Sequence, residues 1–254
     1  MIFMKDQLKS DLVRAGGKKR IIIFSVLMCV ISVLVTSSAL KESLDALSNK
    51  PSWIYLTGNT FTVLPFFCAC ISLLLVMPER IGGLWRNKIA VGVRRRDIFL
   101  SKIIFSCSVT LIFIILHFII IFLTGLVRSA DLMPFGKAFF IFINMILQGV
   151  TFSVVFTATS FYFSSDRICI IFPLIISYVL PLFPSSMKWL IESGKIRSSI
   201  LTDIVKFMKK ICIYDYTAET GYASSLIKTV PVCIVICAVL LISGTVSFER
   251  KEIN

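Results

Sequence analysis

Residues 103–126 read IIFSCSVTLIFIILHFIIIFLTGL, a stretch without a single Asp, Glu, Lys or Arg. As a helix rising about 1.5 Å per residue, such a segment is long enough to cross the roughly 30 Å hydrocarbon core of a bilayer. A charge at the bilayer centre costs about 2.5–3.5 kcal/mol on insertion scales, so an uncharged run of this length points to lipid rather than to a soluble core. Five more runs share the property: about 21–40, 61–77, 138–163, 168–183 and 230–248. All 27 basic and 14 acidic residues fall between or outside the six runs. The expected fold is an all-α integral membrane protein with six transmembrane helices, a single transmembrane domain over 1–254.

Composition agrees. The chain is 57% hydrophobic with a net charge of +13. In a soluble protein that charge would suggest nucleic acid; here Lys and Arg gather beside the spans, where they set topology and meet anionic lipid headgroups, so no nucleic-acid partner is expected. The longest connection, 184–229, is shorter than most independent domains and leaves no room for a soluble catalytic unit. Seven of the eight cysteines (Cys29, Cys68, Cys70, Cys107, Cys169, Cys233 and Cys237) lie within or at the edge of apolar runs and read as small packing residues. Cys68/Cys70 and Cys233/Cys237 have no His or carboxylate close in sequence, so no metal site is expected. The first run is too long, and follows too long a leader, for a cleaved signal peptide; a retained helix is expected.

Loop charges orient the chain. The N-terminal segment carries six Lys/Arg and the 78–102 connection seven, against two each in 41–60 and 127–137. By the positive-inside rule both termini and the 78–102 connection are cytoplasmic. The 184–229 segment is then extracellular although it holds seven Lys/Arg against four acids. Pro181 and Pro184 are expected to end the fifth span, with Ser185/Ser186 capping a short helix that stops at Gly194. From Ile196, the spacing of Ile200, Ile204, Phe207/Met208 and Ile211 predicts an amphipathic helix, lying on the outer membrane surface or packed across the span tops. Residues 1–20 read as an interfacial segment in which Met4, Leu8, Leu12 and Ala15 form a weak stripe, an elbow helix before the flexible Gly16-Gly17.

The 78–102 connection is the most specific stretch: PERIGGLWRNKIAVGVRRRDIFLSK. Pro78 suggests a helix break, Leu84, Trp85 and Ile89 a short amphipathic element, and Gly92 a bend before the triplet Arg94, Arg95, Arg96. A basic loop that only orients two helices is the plain reading. The ordered series Glu79, Gly83, Asn87, Gly92, Arg94–Arg96, Ile98, Lys102 nonetheless resembles the loop between spans two and three of the ABC-2 family, the permease subunits of bacterial ATP-binding-cassette exporters. The ending Ser247-Phe248-Glu249-Arg250-Lys251-Glu252-Ile253 is similar to that family's close.

The resemblance implies a coupling helix at 79–89 that docks on a cytoplasmic ATPase. Leu84 and Trp85 would anchor it, with Glu79, Arg80, Arg86, Asn87 and Lys88 around Gly83 as further contacts. Arg94, Arg95 and Arg96 would touch lipid phosphates or the partner. It also implies a bacterial plasma-membrane location, a second permease copy or paralogue, and an outward-moved substrate such as an antimicrobial peptide, a lantibiotic or a hydrophobic small molecule. ATP and Mg would sit on the ATPase, because this chain has no G-x-x-x-x-G-K-[ST] loop; it is not expected to be an enzyme or to hold a cofactor.

With no charge inside a span, no Asp/Glu/Lys proton or sodium relay is expected, and His117 lacks a charged intramembrane partner for one. Asn144 and Gln148, four residues apart in the fourth span, and Thr151 beyond them, read as interhelical glue or as the lining of a substrate path. Pro65 and Pro173 mark possible kinks. The other reading of the whole chain is a non-transporting membrane scaffold or assembly protein that uses the basic loop to dock a partner.

Overall fold

The computed structural model describes residues 53–127, 135–163, 165–192 and 223–250, with the isolated helical positions Val30 and Leu34. The first apolar run apart from those two positions, the N-terminal elbow and the 196–211 helix lie outside the described residues. Six helices follow in order: α1 (Trp53–Ile81), α2 (Leu84–Ala90), α3 (Arg95–Val127), α4 (Phe135–Tyr162), α5 (Asp166–Glu192) and α6 (Ala223–Arg250). No strand occurs among the described residues. Four helices, α1, α3, α4 and α6, contain segments long and apolar enough to cross a membrane. The fifth helix carries the 168–183 run.

The long helices alternate in direction, and α4 is the hub, packing on α1, α3, α5 and α6. Helices in lipid gain little from hiding apolar surface from one another, so close approach and hydrogen bonds must hold them. The contacts are of that kind. Gly149 of α4 lies so close to α3 that an added Cβ would run into Ile114 Cδ1. Gly244 of α6 faces the Phe99 ring, whose Cζ lies 2.5 Å from where a Cβ would stand. The Ser106 and Ser153 hydroxyls are 2.8 Å apart, and Thr110 donates to Ser153 at 3.3 Å. Tyr162, at the end of α4, hydrogen-bonds Ser243 of α6, about two turns before the α6 C-terminus. The outward faces of α3 and α6 are apolar, with Ile112, Ile119 and Leu123 on one and Ile234, Val239 and Ile242 on the other exposed. Lipid tails cover such surfaces at no cost.

Helix boundaries depart from the sequence expectation at several ends; α1 opens at Trp53 rather than 61 and α6 at Ala223 rather than 230. Pro78 does not break α1, which runs on to Ile81; Gly82 N–H donates to Pro78 O at 3.2 Å and closes a final turn. A proline costs a helix the hydrogen bond of its own nitrogen, and here the chain absorbs that loss one turn from its end. Arg95, not residue 103, opens α3, so the connection shrinks to 82–94. Likewise α5 continues through Pro181 and Pro184 to Glu192, where a stop and a second cap were expected. The helices therefore extend past the uncharged runs and take in flanking charged residues such as Glu79, Arg80 and Lys102.

Candidate functional site

The helices' directions bring the C-terminal ends of α1, α4 and α6 and the N-terminal ends of α3 and α5 together, with α2 across them. This charged end holds Glu79, Arg80, Lys88, Arg95, Lys102 and Asp166 in contact with one another or with neighbouring helix ends.

The seven-residue α2 is set between two glycines with positive φ, Gly83 at 67° and Gly92 at 91°. Both values lie in the left-handed region that residues with a Cβ rarely adopt. The two turns reverse the chain out of α1 and back into α3.

The inner face of α2 is spent on the bundle. Trp85 is 6% exposed. Its ring stacks on Phe161 of α4 at 4.5 Å with an interplanar angle of 6°, and meets Phe248 of α6 edge-on at 5.6 Å. Phe161 in turn meets Phe99 and Phe248 edge-on, at 5.1 and 4.9 Å, geometries that aromatic quadrupoles favour. The Trp85 Nε1–H has no acceptor, so the ring is held by packing alone. Lys88 reaches inward to Glu79 Oε2 at 3.2 Å, and Lys102 of α3 donates to Glu79 Oε1 at 2.6 Å. One carboxylate thus ties α1, α2 and α3 together, with Glu79 and Lys102 almost completely buried. Burying charge is tolerable only when it is paired and hydrogen-bonded, and Glu79 uses both oxygens to that end.

Arg80, one residue on, turns toward α4 and α5. It donates to Asp166 Oδ1 and to Ser160 O, each at 2.6 Å, and approaches Cys169 Sγ at 2.7 Å. Arg95 donates to the Glu249 and Phe248 carbonyls at 3.3 and 3.5 Å, placing a cation at the α6 C-terminus, where the helix dipole favours it.

The site residues expected from sequence therefore separate. Glu79, Arg80, Trp85, Lys88 and Arg95 face the bundle and hold it, and Leu84 is half-buried beside them. Arg86, Asn87 and Ala90 form the exposed face of α2, continued by Val91. Arg94 is exposed, with Asp97 at 3.3 Å, and Arg96 is exposed too. Asn144, Gln148 and Thr151 are not at this end at all; they lie buried halfway along α4. His117 is buried in α3 with its ring stacked on Phe113. No group of three or more His, Cys, Asp or Glu placed to hold a metal occurs among the described residues.

Lys102, Phe99, Phe161, Phe248 and Asp166 are central to this end and were not singled out as site residues in the sequence. Lys102 carried a signal: it is the last cation before a long apolar run, placed to fold back into the first turns of α3. The aromatics carried none, since a Phe near a span end is ordinary.

What the fold defines is an all-helical protein of membrane type, with a short helix folded across one charged end. No family model matches the sequence, and no curated protein matches it.

Proposed function

We propose that this chain is the permease subunit of an ATP-driven exporter of ABC-2 type, with six spans, its charged end in the cytoplasm and α2 as the element that receives an ATPase. The observation that carries this reading is the two-faced α2. Its inner side contacts α1, α4 and α6 directly and reaches α3 through Glu79, so a push on its outer side is carried to four helices. Its outer side offers Arg86 and Asn87 with no part in the fold. Nine of the basic side chains in the described helices and turns crowd this end, from Arg80 to Lys102 and at Arg167 and Arg250, which supports a cytoplasmic placement.

In this mechanism ATP hydrolysis happens on the partner, and two copies of the chain, or the chain and a paralogue, face each other in the membrane. ATP binding favours one arrangement of the helices over the other, the differential interaction any such coupling needs. The cargo is an amphipathic peptide, an antimicrobial or a hydrophobic small molecule moved outward.

The scaffold reading draws on a specific observation as well: Glu79, Arg80 and Trp85, the residues the resemblance assigns to docking, are used up inside the bundle. Purification in mild detergent from native membranes, with mass spectrometry of bound proteins, separates the two. A stoichiometric ATP-binding-cassette ATPase, lost with Arg86→Glu/Asn87→Lys while the protein stays inserted, is the expected result. Envelope proteins alone, with no ATPase even after crosslinking, would replace the exporter with the scaffold.

A further inference from the structure

Most polar groups in the middle of the bundle satisfy themselves. Ser72 bonds to Ala69 O and Thr151 to Leu147 O, while Ser106, Thr110 and Ser153 bond to one another. Gln148 is different. Its side chain is fully buried at mid-helix, and neither its amide nitrogen nor its amide oxygen has a hydrogen-bond partner. A primary amide brings two donors and an acceptor, and enclosing all of them unpaired is unfavourable wherever water is excluded. The closed bundle does not use this group.

Asn144 and Thr151 stand about one turn to either side on the same face of α4, both buried. On this face α6 meets α4 at Thr151. Cys237 donates to Thr151 Oγ1 at a long 3.8 Å, and Val232 and Ile236 pack against the core cluster that contains Met145, Phe152 and Cys233. The α4–α6 pairing is the most extensive between any two of the described helices, yet α6 is itself the least enclosed of the four long apolar helices, with 17% of its apolar window buried against 56% for α4. Pro231, beside this segment, removes a rung from the α6 hydrogen-bond ladder. Further contacts of α6 lie toward the charged end, where Phe99, Tyr162 and Arg95 meet it.

We infer that the Asn144–Gln148–Thr151 face of α4 is the wall of a hydrated path, closed in this conformation by α6, in which Gln148 hydrogen-bonds the molecule in transit. The chemistry selects a ligand class. The face is neutral, so it offers an ion no counter-charge. A primary amide pairs best with a group that presents a donor and an acceptor side by side, as a peptide bond does, and the apolar surroundings suit an amphipathic body around it. This deepens the exporter reading and rests on it for the direction of movement, but not for the existence of the path.

The test is thiol accessibility in the full chain. Gln148→Cys is introduced in native membrane vesicles and treated with a membrane-impermeant trimethylammonium methanethiosulfonate, and labelling is mapped by peptide mass spectrometry. Met145→Cys in the core and Ile112→Cys on the lipid-facing side of α3 serve as references. Because only a hydrated thiol forms the reactive thiolate, Gln148→Cys should label at least about tenfold faster than either. Thr151→Cys, similar in volume to the residue it replaces, should label as well, and it carries the test if the first variant fails to insert. Labelling at both positions no faster than at the references overturns the path, and recovery of a stoichiometric ATPase in the same membranes would then leave the exporter standing without it. Fast labelling in membranes that yield no ATPase keeps the path and removes the ATP-driven reading.

Discussion

At the charged end of the bundle, Glu79 lies enclosed by Lys88 and Lys102, each within 3.2 Å. Halfway along α4, Gln148 is buried just as deeply and bonds to nothing. The first site places three formal charges where neighbours from three helices complete them. The second places one neutral group where no neighbour does. A buried ion pair is unsuited to motion, because separating its members strands a charge. An unpaired amide is suited to it, because opening the structure can only improve its bonding. The difference assigns rigidity to the charged end and opening to the middle.

The comparison breaks most readily at Glu79. Glu79→Ala leaves two lysines without their shared anion and should destabilise the protein by about 3–5 kcal/mol, read as a fall in thermal midpoint in detergent. Adding Lys102→Met should recover part of that loss, and no recovery would mean that Glu79 acts through something other than its ion pairs. Trp85→Ala removes the ring between Phe161 and Phe248 and should cost about 3–5 kcal/mol in the same assay, the range for truncating a buried aromatic. An effect below about 1 kcal/mol would place α2 outside the rigid unit.

The middle of the bundle should respond with the opposite sign. Gln148→Leu exchanges an unsatisfied amide for an apolar group of similar size and should stabilise the protein by about 1–3 kcal/mol while, on the proposed path, abolishing transport. Destabilisation would show that the amide already has a partner. Gly149→Ala, one residue along, should cost about 1–3 kcal/mol by overpacking against Ile114, and Ile114→Val should relieve it. The smallest effect is expected at the exposed surface: Arg86→Ala should change stability by less than about 0.5 kcal/mol, yet weaken association with the proposed ATPase partner.

Much of this was legible in residue order. Uncharged runs marked α3, α4 and α6 to within a turn or two at most ends, and Leu84-Trp85 followed by Gly92 announced a short helix and a bend. The failures have two causes: Pro78, Pro181 and Pro184 suggest helix ends but lie inside α1 and α5, and charges suggest span ends. Glu79, Arg80 and Lys102 were read as ending spans because a charge is unfavourable in lipid, but that cost is cancelled by partners such as Lys88, Asp166 and Ser160. Arg80 meets partners 80 and 86 residues away, a distance no local window samples. Trp85 shows the same limit: an aromatic on a short amphipathic helix serves equally as an outward anchor or an inward one. Only the position of Phe161 and Phe248 decides, and it turns the ring inward. Alanine variants at Trp85 and Glu79 therefore report on folding, and docking must be probed at Arg86 and Asn87.

The central claim is that α2 gives one face to the bundle and the other to an ATPase. The most direct test places a photo-crosslinking amino acid at Asn87, on the outer face, and separately at Ile89, which packs inward, in cells. Irradiation should join Asn87 to a cytoplasmic ATP-binding-cassette ATPase, while position 89 links only within the chain. Crosslinks from position 87 to lipid or to membrane scaffolding proteins alone, with no ATPase among the products, would contradict the account.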